Sequence, residues 1–146
     1  MLIQLILEEL DRWSRAPHRQ FSQETLYHKD IGFPADVKMP RGFHPVITLR
    51  YGPHANEEAM RDKYGNIRLP KRVDVRRGEI FEIGVRNNVV SKLGVRFPYD
   101  ETRDLILIIN PADGFVRTVW FNLKSDKHRT LDHSKYTKPR KIAATT

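Results

Sequence analysis

No cysteine occurs among the 146 residues, which excludes disulfides, thiolate zinc sites and thiol catalysis. No hydrophobic run is long enough to span a bilayer. The opening MLIQLILEEL is apolar, but Glu8 and Glu9 interrupt it. It also lacks a basic n-region and a small-residue cleavage site, so it does not read as a signal peptide. There is no Gly-rich phosphate loop, no internal repeat and no coiled-coil heptad pattern. Acid is scarce: 18 Asp and Glu face 26 Lys and Arg, for a net charge of +8. From His133 onward no acid follows, while Lys135, Lys138, Arg140 and Lys141 do. These features lead to the expectation of a cytoplasmic protein with no membrane attachment.

What is present suits one globular domain. Hydrophobic residues are 39% and charged residues 30%, too apolar for a disordered chain. The positive excess favours a polyanionic partner, nucleic acid before an anionic membrane surface. Residues 2–13 carry a helical apolar stripe of Leu2, Ile3, Ile6, Leu7, Leu10 and Trp13, which suits a packing helix or a dimer contact. Residues 14–45 hold Pro17, Pro34, Pro40 and Pro45 among scattered aromatics and read as an irregular cover, with one short helix near residues 22–28. Residues 1–45 are thus expected to form an N-terminal helix and cover, 46–136 the core, and 137–146 a basic tail.

Within the core, residues 46–50 suit a short strand. Residues 54–64 suit a helix, with Gly52 and Pro53 before it and Gly65 after it. A basic connector follows, with Arg68, Lys71, Arg72, Arg76 and Arg77 around one acid, Asp74; it suits either a phosphate track or a charge-protected edge strand. Then come alternating apolar runs at 79–86 and 89–97 around an Asn87-Asn88 turn, a continuous apolar run at 104–110, and a β-rich run at 115–122. The resulting fold class is α+β: a four-stranded antiparallel meander packed against N-terminal helices.

Strand alternation places Lys92 and Arg96 on one face, and Thr118, Trp120 and Asn122 on one face of the last strand. The loop after it carries Lys124, His128, Arg129 and Thr130, and His54 opens the second helix. These residue types suit metal-free RNA cleavage. The ribose 2′-hydroxyl attacks the adjacent phosphate, a histidine moves the protons, and Lys or Arg stabilises the phosphorane charge. No carboxylate cluster for divalent metals is evident, and His18, His28 and His44 have no ligand-like spacing, so no metal and no cofactor are expected. Each residue also has a plainer use. His54 can pack at a helix end, and Trp120 can belong to the core. Lys92 and Arg96 can pair across strands with Glu82, and Asp126 and Asp132 can simply make turns.

A helix opening with His-Ala, a basic connector, a meander with Lys and Arg, and T-V-W-x-N before H-x-T-L-D resembles the barnase–EndoU–colicin–RelE superfamily of small toxin-type RNases, among them phage- and prophage-encoded relatives. The likeness covers about residues 50–136. It implies a RelE-like sheet packed on helices and a metal-independent endoribonuclease. It also implies catalytic positions at His54, Lys92, Arg96, Thr118, His128 and Thr130. Nucleic-acid contacts are expected from Arg68, Lys71, Arg72, Arg76, Trp120, Asn122, Lys124 and Arg129. The partner would be RNA, transfer or messenger, bound by a monomer or dimer. The alternative is a non-catalytic module, such as a phage accessory protein, that binds nucleic acid or a host protein complex.

Overall fold

A computed structural model describes residues 23–126 and 131–139. In chain order the described residues form β1 (Thr25–His28), β2 (Val46–Thr48), β3 (Arg50–Tyr51), α1 (Pro53–Met60), β4 (Arg72–Asp74), β5 (Glu79–Arg86), β6 (Val89–Pro98), β7 (Arg103–Ile109) and β8 (Phe115–Leu123). Short 3₁₀ turns lie at Val75–Arg77 and His133–Lys135. Six strands form one sheet in the order β1-β5-β6-β7-β8-β3, and β2 and β4 form a separate pair. All neighbours are antiparallel except β3, which runs parallel to β8.

This mostly β fold with a mixed six-stranded sheet corrects the expected α+β meander under N-terminal helices. Strands β5 to β8 do pair in sequence order, but both flanks are extended. Residues near 22–28 were expected as a short helix. Instead Thr25–His28 pairs with β5, Tyr27 opposite Ile83 and His28 opposite Glu82, because a paired β-forming segment gains more from the ladder than from a lone helical turn. On the other flank Arg50 and Tyr51 pair with Phe115 and Val116. The helix expected at residues 2–13 lies outside the described residues. Among these, no helix is long and apolar enough to cross a membrane.

Register explains the core. Leu93, Val95 and Phe97 of β6 face Ile109, Leu107 and Leu105 of β7, which in turn face Val116, Val119 and Phe121 of β8. This apolar surface is covered by Ile47, Leu49, Ala55, Ala59, Ile67 and Val75, in one buried cluster. The cover is therefore the β2–β4 pair and the small-residue side of α1. Strand β7 is buried on both faces, since Ile106 and Ile108 are also inaccessible. A bulge opposite Ile108 and Ile109 takes Arg117 out of the core alternation, and its guanidinium bonds Glu24 at 3.1 Å. Asn87 and Asn88 both have positive φ (51° and 66°), the two-residue hairpin conformation that asparagine tolerates.

Two local devices place α1 beside β8. Gly114 has φ 77°, and a Cβ there would lie 2.0 Å from the Thr48 carbonyl, so only glycine lets these segments cross. Its carbonyl accepts from Arg50 N–H at 3.0 Å. Beyond β3 the edge of β8 is closed by side chains. Glu58 accepts from Val119 N–H at 3.3 Å and Asp62 accepts from Phe121 N–H at 3.0 Å. Asp62 also accepts from Tyr64 N–H at 3.0 Å, and α1 ends at Met60, short of the expected residue 64. Truncating the wholly buried Leu107 to alanine is expected to lower the unfolding free energy by about 2–5 kcal/mol. Urea titration reads this, and a loss below about 1 kcal/mol contradicts the two-sided burial of β7.

Candidate nucleic-acid interface

The residues between β4 and β5 set the charge of one end of the sheet. Asp74, the last residue of β4, accepts from Arg76 N–H at 3.0 Å and takes the Arg76 guanidinium in two bonds, at 2.8 and 2.7 Å. The Arg76 side chain holds this carboxyl down to about 2. Arg76 is thereby occupied, while its neighbour Arg77 turns to a cleft of about 630 Å³. Arg68, Arg72 and Arg77 line that cleft together with Phe97, Tyr99, Leu105 and Val73. Among the described residues none of these three guanidiniums is in ion-pair contact with an acid, and Arg77 feels Asp74 only at longer range. Tyr99 forms a wall of the cleft. Its hydroxyl accepts from Arg68 N–H at 3.3 Å, its ring packs edge-on against Phe121 at 4.6 Å, and Arg103 lies 5.2 Å from the ring centre.

A second cleft, of about 570 Å³, adjoins the first. Arg77 and Pro98 line both. Here the cations other than Arg77 are matched by acids. Arg96 donates to Asp104 at 2.6 Å and to the Asp126 and Leu123 carbonyls at 3.1 and 3.0 Å. Lys124 meets the other Asp104 oxygen at 2.6 Å, and Lys29 pairs with Glu79. Burial pushes the Asp104 carboxyl up, but the bonds from Lys124 and Arg96 outweigh it and hold it below the ordinary carboxylate value.

The residues proposed for catalysis are dispersed. Lys92 pairs with Glu82 at 3.0 Å, both largely buried, and Tyr136 donates to the other Glu82 oxygen at 2.7 Å. Burial, then Glu82, drives the Tyr136 hydroxyl pKa upward. His54 lies in the first turn of α1, its Nε2 3.4 Å from Glu58. Thr118 donates to that same carboxylate, at 2.7 and 2.6 Å from its two oxygens. His54, Glu58 and Thr118 thus form a connected string. His54 and Glu58 line a third cleft with Trp120, Glu57 and Asp62, where Arg61 and Lys63 offset the three carboxylates. Asn122 is buried opposite Asp104. His128, Arg129 and Thr130 lie outside the described residues.

Of the basic connector, Arg68 and Arg72 reach one cleft, Arg76 is drawn to Asp74, and Lys71 is exposed, its carbonyl accepting from Leu49 N–H at 2.9 Å. Sequence reasoning placed Arg77 in the connector without assigning it a site. The signal was present: an aspartate two residues before Arg76 can close an Asx turn on it and claim its charge. The His28–Asp30 segment was also missed, because its pairing with β5 is long-range. Asp132 makes a turn by accepting from Ser134 N–H at 3.1 Å. No family model, curated protein or solved structure matches the chain, so the likeness to toxin-type RNases rests on the short motifs alone.

The Asp104 pair has a pH signature. A carboxyl held below its unfolded value of about 4 stabilises fully above that value and loses the contribution as the pH falls through the lower folded value. Asp104→Asn is expected to cost about 1–3 kcal/mol at neutral pH, since it strips a charge partner from Arg96 and Lys124. The gap to the parent should shrink between about pH 5 and pH 2, read by urea unfolding at each pH. A gap constant over that range contradicts the ion-pair account.

Proposed function

We propose that the protein is a single-stranded RNA-binding module that holds the phosphate backbone in the Arg68–Arg72–Arg77 cleft. The observation that carries this is the three guanidiniums on one open cleft, none of them in ion-pair contact with an acid among the described residues. A guanidinium not already neutralised gains most from a phosphate, which it meets with paired N–H donors. A concave site suits a flexible single strand. The one described α-helix is packed along β8 rather than projecting as a duplex-reading element. The whole-chain charge of +8 adds long-range attraction.

Turnover is the second reading. Lys92 and Arg96 serve Glu82 and Asp104, and Thr118 serves Glu58. Metal-independent cleavage by 2′-hydroxyl attack then rests on His54, which lies beside Glu58, and on His128 and Thr130. One experiment addresses both readings. Labelled RNA oligomers are titrated by fluorescence anisotropy in EDTA between about 50 and 200 mM salt. Binding through three phosphate contacts should give a log–log salt slope of about −2, and Arg68→Ala with Arg72→Ala should bring it towards zero by about 1.4. Salt-insensitive binding, or a slope the double variant leaves unchanged, contradicts the proposal. Discrete EDTA-resistant cleavage that His128→Ala abolishes supports the endoribonuclease reading instead.

A further inference from the structure

We infer that the second cleft is a nucleobase pocket, continuous with the phosphate cleft and joined to it at Arg77. The inference rests on the reading of the first cleft as a phosphate site, and it assigns the adjoining cleft a different chemistry.

The two clefts differ in charge although they share a wall. In the first, Arg68, Arg72 and Arg77 face a single acid, Asp74, which Arg76 occupies. In the second, Lys29 is matched by Glu79, and Arg96 and Lys124 by Asp104, while Asp30 adds a further carboxylate. A phosphate entering there meets acids that already hold the cations. A neutral base meets alternating donors and acceptors, which is what its edge requires. A half-buried ring lies alongside: Phe81 lines the cleft next to the buried His28, with ring centres 6.1 Å apart. The His28 ring is fixed from two sides. Its Nδ1 accepts from Asp30 N–H at 3.1 Å, and Tyr136 packs edge-on at 5.0 Å. A volume of about 570 Å³ accommodates a base with its ribose.

The junction is rigidly placed. Arg77 ends the 3₁₀ turn, and Gly78 follows it directly. A Cβ on Gly78 would lie 2.7 Å from Val95 and 2.8 Å from the Phe97 ring, so the backbone after Arg77 rests on the core. The Arg77 backbone is thus fixed at the boundary of the two clefts, and its exposed side chain lines both. A phosphate held by Arg77 places its own nucleotide at the mouth of the second cleft, while the preceding backbone runs past Arg72 and Arg68.

The test compares the four homopolymeric RNA oligomers with the full-length protein by anisotropy. It uses the parent, Arg72→Ala, and the double variant Lys29→Ala with Asp30→Asn. Lys29 and Asp30 are well exposed, at 38% and 53% of their side-chain surface, so these replacements leave the core untouched. The parent should prefer one base by about tenfold or more. The double variant should collapse that preference while keeping the salt slope. Arg72→Ala should keep the preference while reducing the slope by about 0.7. Equal affinity for all four oligomers, with Arg72 still setting the slope, overturns the base pocket and leaves the phosphate site standing. A preference that survives the double variant overturns it as well. No binding of any oligomer overturns both.

Discussion

Two-sided burial of β7 is the constraint on which the rest of the structure depends. Leu105, Leu107 and Ile109 enter the main core, and Ile106 and Ile108 are buried on the other face. Such a strand needs a partner along each edge, and a one-residue slip would exchange the two apolar sets. The β6–β7–β8 register is therefore tightly specified. With it, the end of β6 at Pro98, the start of β7 at Arg103 and Asp104, and the end of β8 at Leu123 meet at one end of the sheet. Glu79, opening β5, arrives there opposite Arg96. Both candidate clefts lie at that end because the core brings these termini together.

Acid placement then decides which cations remain available. The chain is rich in Arg and Lys, but most described cations on the sheet already have partners. Glu82 takes Lys92, Asp104 takes Arg96 and Lys124, and Glu24 takes Arg117. Exchanging such a partly buried partner for an outside phosphate means breaking a desolvated pair. Asp74 acts the other way. By occupying Arg76 through the adjacent turn, it leaves Arg77 facing the cleft with Arg68 and Arg72. Site selection here follows the few acids as much as the many bases.

Much of the sheet was legible because its strands alternate or run apolar without a break. The asparagine pair marked its hairpin by tolerance of positive φ, and Pro53 marked the start of α1. Thr25–His28 was misread as helical because it is short and its ladder partner lies more than fifty residues away. The fold class failed for the same reason: β3 is two residues long, and a Gly114 crossing, not a local pattern, brings it to β8. The face of Lys92 and Arg96 was read correctly as shared, and pairing with Glu82 was one of its two readings; Lys92 does take Glu82, whereas Arg96 goes to Asp104, a partner the strand pattern did not single out. Arg68 and Arg72 were legible from charge, whereas Arg77 needed the geometry of the turn.

The most direct measurement is an NMR titration of the labelled protein with a short single-stranded RNA. The account predicts the largest shifts at the Arg68, Arg72 and Arg77 side chains and at Tyr99, extending to His28 and Lys29 and fading along α1. Shifts concentrated on His54, Trp120 and the outer side of α1, with the three arginines unmoved, would contradict it.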